Sequence, residues 1–108
     1  MRQHPREAAL DFLRDEHLLE DEEAARALVL ADSVLHDGLT RLGAAASEGD
    51  PAGCHEAAHA LKGNLLNLGL FDLARQAESI VAAAKQGDTD ACRHLSEEFT
   101  QALVPFFS

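Results

Sequence analysis

The side chains able to do chemistry crowd into one stretch, Cys54 to Gly69, CHEAAHALKGNLLNLG, where His55, Glu56, His59, Lys62 and Gly63 stand close together. Read as a helix, the stretch divides into two faces. Cys54, Ala58, Leu61, Leu65 and Leu68 recur at helical spacing and form an unbroken apolar stripe. At about 100° per residue, His59 points away from that stripe, with His55 and Leu66 beside it and Lys62 and Gly63 flanking it. A neutral imidazole is a competent nucleophile near neutral pH, because its ordinary pKa is about 6.5. It can attack a phosphoryl group and hold it as a phosphoimidazole. A lysine one turn on can steady the transferring group's equatorial oxygens. A glycine alongside keeps the helix surface low, so that a reaction partner can approach.

The same residues fit a second chemistry. His55-Glu56-Ala57-Ala58-His59 matches H-E-x-x-H, the pattern in which two histidines one turn apart bind zinc and the glutamate is a general base. Glu78, at the height of His59 on the next helix, stands where a third ligand would. Against this, the two histidines lie on a solvent face, whereas a catalytic zinc needs an enclosed site with a fixed outer shell. No strand or second lobe offers a peptide-binding surface, and the charge of Lys62 opposes a dication. A third possibility is a helical interaction module in which His59 is incidental. The remaining histidines, His4, His17, His36 and His94, read as solvated side chains.

His59-Ala60-Leu61-Lys62-Gly63, with Gly69 following, resembles the signature of histidine-containing phosphotransfer (HPt) domains, the helical modules that carry a phosphoryl group between response-regulator receiver domains. The resemblance covers most of the chain, the stretch before Asp21 matching least. It implies that His59 is the phospho-acceptor, that Lys62 stabilises the phosphoryl group and that Gly63 gives access to the partner. Leu66 on the same face, and Leu70 past the turn, are expected to offer an apolar contact to a docking receiver, with His55 at its edge. The resemblance further implies that Mg²⁺ and the acidic cluster organising the transfer belong to the receiver. The chain would then be a carrier with no cofactor and no turnover of its own. Its partners would be receiver domains or a hybrid sensor histidine kinase in a bacterial-type two-component pathway. Some HPt domains place a polar residue near the histidine on the following helix; the register here puts Val81 at that level, so no such hydrogen bond is expected. The phosphorylatable domain of chemotaxis-type kinases is also an HPt bundle, but no catalytic domain is present, which favours a stand-alone carrier.

The elements that must position this site follow from periodicity and caps. Pro5 suits the first position of a short helix over about 5–17, with Ala9, Leu10, Phe12 and Leu13 on its apolar side. The acidic run Glu20 to Glu23 fits the start of a long helix reaching about Ser47, striped by Ala24, Leu28, Ala31, Leu35, Gly38, Leu42 and Ala45. Close approach of a neighbour would explain a glycine on that stripe. Gly49-Asp50-Pro51 supplies a stop, a cap and a first position for the central helix. Gly69 ends it, and a helix over about 70–86 follows with Leu73, Ala77, Ile80 and Ala84 inward. Gly87-Asp88 repeats the boundary, and a last helix over about 89–106 turns Cys92, Leu95, Phe99, Ala102 and Phe106 inward, frayed at Pro105. Short loops between amphipathic helices imply an antiparallel up-down four-helix bundle over about 21–106, with the short N-terminal helix across one end.

Composition agrees with a single all-α domain over 1–108: hydrophobic residues make up 46%, Phe is the only aromatic among Phe, Trp and Tyr, and Ala and Leu dominate. A formal charge of −10, from 19 acidic and 9 basic residues, argues against nucleic acid or an anionic membrane as partner. The polar start, Met1 to Arg6, is no signal peptide, and no run suits a membrane span. A cytoplasmic monomer is expected. Cys54 and Cys92 read as buried, inert thiols on diagonal helices, too far apart for a disulfide. No P-loop, nucleotide-binding glycine motif or kinase signature is present.

Overall fold

The computed structural model describes residues 4–107, so the first residues of the polar N-terminal segment lie outside the described part. Five α-helices follow one another: α1 Pro5–Glu16, α2 Asp21–Glu48, α3 Pro51–Asn67, α4 Phe71–Lys85 and α5 Thr89–Leu103, with a closing 3₁₀ turn over Val104–Phe107. There is no strand among the described residues.

Four of the five helices start where polar chemistry supplies a partner for free N–H groups, while α4 follows Leu70 with no side-chain cap. The His4 ring accepts from the Arg6 N–H at 3.2 Å to open α1. Glu20 and Glu23 form a reciprocal capping box on α2. Asp50 and Asp88 accept from the N–H groups of Gly53 and Ala91, at 3.1 and 3.0 Å, to open α3 and α5. At the other ends Gly49, Gly69 and Gly87 take left-handed backbone angles, φ +66°, +72° and +70°.

Packing places α3 between α4, its most extensive neighbour, and α2, while α5 rests on α4 and α2. The predicted stripes are largely the buried ones. Cys54, Ala58, Leu61 and Leu65 are at most 1% exposed, as are Leu35, Leu42, Ala77, Ile80, Phe99 and Phe106. Ala31, Gly38, Leu95 and Ala102 are only partly buried. The glycine in the middle of α2 has a steric reason: a methyl there would lie 2.6 Å from Cδ2 of Leu61, itself 1% exposed. α1 is held by Arg6, which donates to both carboxylate oxygens of Asp32 at 2.7 and 3.1 Å and to the Phe106 carbonyl at 3.0 Å.

Two expectations are corrected. Cys54 and Cys92 are buried and unbridged as expected, but they are not distant, since each is within electrostatic reach of the other. The end of the core they occupy is built from Ala45, Ala46, Ala57, Ala58, Ala83 and Ala84, whose small side chains let helices approach closely. The last helix also stops at Leu103, and Pro105 sits inside a 3₁₀ turn that buries Phe106 rather than in a frayed end.

Leu65→Ala is expected to lower stability by about 2 to 5 kcal/mol, because the site is sealed on all sides. Gly38→Ala should also destabilise, since overpacking against Leu61, about 1 to 3 kcal/mol, outweighs about 1 kcal/mol of helix propensity. Chemical denaturation of the two variants checks both; a stabilised Gly38→Ala would contradict the close approach of α2 and α3.

Candidate functional site

Because the stripe from Cys54 to Leu65 is buried, the opposite side of α3 faces solvent. His59 is exposed at its centre, and His55, one turn earlier, is half-buried. Their rings lie nearly parallel, 15° apart with centroids at 6.1 Å. Among the described residues neither imidazole has a hydrogen-bond or ion-pair partner. The other histidines differ: His4 caps α1, His17 meets the edge of Phe12, His36 packs on Phe107 and His94 reaches Glu98 at 2.7 Å. His17, His36 and His94 are exposed, as expected of solvated side chains, but each also makes a local contact, and half-buried His4 has the task of a cap.

Gly63 is exposed, and a methyl group built on it would meet nothing within 4 Å. A glycine inside a helix costs about 1 kcal/mol relative to alanine, and here no internal contact calls for it. Lys62 reaches across to α4, where its Nζ lies 2.7 Å from Oε2 of Glu78, the two side chains 32% and 48% exposed. The Lys62 ammonium holds the Glu78 carboxyl below the usual carboxylate range, first through its hydrogen bond and then through its charge, with Lys85 adding to the effect. A carboxyl depressed in this way contributes stability above its unfolded pKa and loses it as pH falls through the lowered value. Glu78 is thus the acidic group at the level of His59. Val81, which the sequence register placed there, is 2% exposed and points into the core.

The predicted docking residues separate. Leu66 is 41% exposed on the His59 side of α3. Leu70 is buried at 6%, so its expected place on a docking surface is corrected. The left-handed turn at Gly69 brings the Leu70 N–H back to the Leu65 carbonyl at 3.0 Å, and the side chain follows it into the core. Phe71, the next residue, is the exposed one at 52%, with its ring edge-on to Phe12 at 5.8 Å. Sequence reasoning passed over Phe71; its position just after a left-handed glycine was the available signal.

The zinc-like residues do not converge. Glu78 is bound to Lys62, the imidazoles are stacked, and among the described residues no three His, Cys, Asp or Glu side chains gather into a metal-ligating group. No helix among the described residues is long and apolar enough to cross a membrane. No family model, curated protein or solved structure matches the chain.

Of the two thiols, Cys54 lies on the opposite, inner side of α3 and Cys92 on the buried side of α5. Burial pushes Cys54 up to about 11, with Cys92 adding to the effect, and burial also raises Cys92. A thiol reacts as its thiolate. Neither cysteine should therefore alkylate with iodoacetamide at neutral pH until the chain unfolds, while both should label in denaturant. Rapid native-state labelling, followed by mass spectrometry, would contradict the packing of this end of the core.

Proposed function

We propose that this chain is a histidine phosphotransfer protein of a two-component phosphorelay, accepting a phosphoryl group on His59 from a receiver-domain aspartate or a histidine kinase and passing it to another receiver. The proposal includes the architecture that goes with it: α2 to α5 as an antiparallel up-down four-helix bundle with α1 across one end. The observation that carries it is the pairing of an exposed imidazole, whose nitrogens have no hydrogen-bond partner among the described residues, with an exposed mid-helix glycine that has no packing role. Open space at Gly63 is what a bulky partner needs to bring an aspartyl phosphate to within reacting distance of the ring.

In the transfer, the outward imidazole nitrogen, Nε2, attacks phosphorus as the P–O bond to the partner's aspartate breaks. The aspartate leaves as a carboxylate, and the imidazole keeps its other ring proton. Lys62 stands one turn from the ring, where an ammonium favours the dispersed negative charge of the transition state. Mg²⁺ is assigned to the receiver. Leu66 and Phe71 supply an apolar rim for docking, with His55 at its edge. The protein is a carrier and substrate, acting in the cytoplasm as a monomer.

Label transfer from a panel of phosphorylated receiver domains tests this reading. The wild type should take the label in an acid-labile, alkali-stable form, and His59→Gln should take none while changing stability by less than about 0.5 kcal/mol. Label retained by His59→Gln would remove His59 from the mechanism. Gly63→Ala should stabilise the fold by up to about 1 kcal/mol and yet slow transfer; unchanged transfer would leave Gly63 without a role. The same substitution at Gly43, likewise free of neighbours within 4 Å, should stabilise without slowing transfer.

A further inference from the structure

Taking His59 as the phospho-acceptor, we propose that Glu78 is a positioning residue that engages Lys62 in the empty carrier and, as a fixed negative charge beside the phosphoryl group, biases phospho-His59 toward donation.

The geometry separates two jobs within one cluster. Lys62 has a single ion-pair partner among the described residues, Glu78, at 2.7 Å, although it lies on the same helix as His59 and one turn from it. Glu78, paired with Lys62 on the helix that packs most extensively against α3, is also within electrostatic reach of Lys85 and His59. Before transfer this is a balanced arrangement in which the carboxylate holds the ammonium in place. Transfer to His59 breaks the P–O bond on the donor, releases its carboxylate and brings a phosphoryl group carrying up to two negative charges into the cluster. Lys62 must then be shared between the phosphoryl oxygens and Glu78, and the carboxylate and phosphoryl group repel each other. Like charges brought together at a partly exposed site interact measurably but without the strength of a buried pair. The repulsion acts only when the phosphoryl group is present. It therefore raises the energy of the phosphorylated carrier relative to the empty one, which favours onward transfer over storage.

A purely structural role for Glu78 makes a different prediction. Losing a strut between α3 and α4 would alter the forward and reverse rates in the same direction and leave their ratio unchanged. Losing a charge would change the ratio.

The experiment mixes the full chain with a labelled phospho-receiver and follows transfer in both directions to its end point, for the wild type, Glu78→Gln, Glu78→Asp and Lys62→Ala. Glu78→Gln should move the end point toward phospho-His59 by about three- to tenfold. The shift should shrink as ionic strength rises. Glu78→Asp, which keeps the charge, should stay near the wild-type ratio, and Lys62→Ala should move the ratio away from phospho-His59. An unchanged ratio in Glu78→Gln, with a wild type that takes label, overturns the role of Glu78 alone. A wild type that takes no label from the receivers or from phosphoramidate, which would transfer its phosphoryl group with loss of ammonia, overturns the reading of His59 and this proposal with it.

Discussion

The rotation of α3 about its own axis is the constraint from which the site follows. A helix is rigid at about 100° per residue, so fixing one stripe fixes every other side chain on it. Here the stripe is fixed firmly: Ala58 and Leu65 are fully buried, Cys54 and Leu61 are 1% exposed, and Leu61 sits against the bare backbone of Gly38 on α2. Turning α3 enough to bury His59 would pull Leu61 and Leu65 into water, at about 1.5 to 3 kcal/mol for each side chain. The imidazole is therefore held out by the core beneath it, with no hydrogen bond needed to keep it there.

Around that outward ring the polar groups come from two helices. α3 contributes His55, Lys62 and Gly63, and α4 contributes Glu78, positioned because the turn at Gly69 returns the chain directly alongside α3. That turn also sorts the apolar residues that follow it, sending Leu70 inward and leaving Phe71 exposed against Phe12. The Ala-rich end of the core, which holds the two thiols, lies at the far end of α3. A solvent-facing imidazole is thus set over a buried interior. In the proposed function this division suits a carrier, which must offer one nucleophile to a larger partner while remaining otherwise inert.

Much of the fold was legible in the sequence because its signals are local. Gly49-Asp50-Pro51 and Gly87-Asp88 mark boundaries through the left-handed glycine and the aspartate cap, chemistry that needs only neighbouring residues. The apolar stripe of α3 is likewise a property of one helix, and it suffices to put His59 outside. What was not legible depends on how two helices meet. The Lys62–Glu78 pair requires the relative height and rotation of α3 and α4; the sequence placed Glu78 at the right height but offered it a metal to bind. The nearness of Cys54 and Cys92 depends on how closely helices approach where alanines replace larger residues. Leu70 was misplaced because one left-handed residue reverses the direction in which the next side chain points. His4 was read as solvated because a histidine is an uncommon helix cap.

The most direct test of the central claim is a nitrogen–phosphorus NMR measurement on the ¹⁵N-histidine-labelled protein after exposure to a phospho-receiver or to phosphoramidate. The account requires one N–P coupling, assigned to a ring nitrogen of His59 and absent from His59→Gln. Phosphorus bonded to any other side chain, or no N–P coupling in a protein that has been shown to bind the receiver, would contradict it.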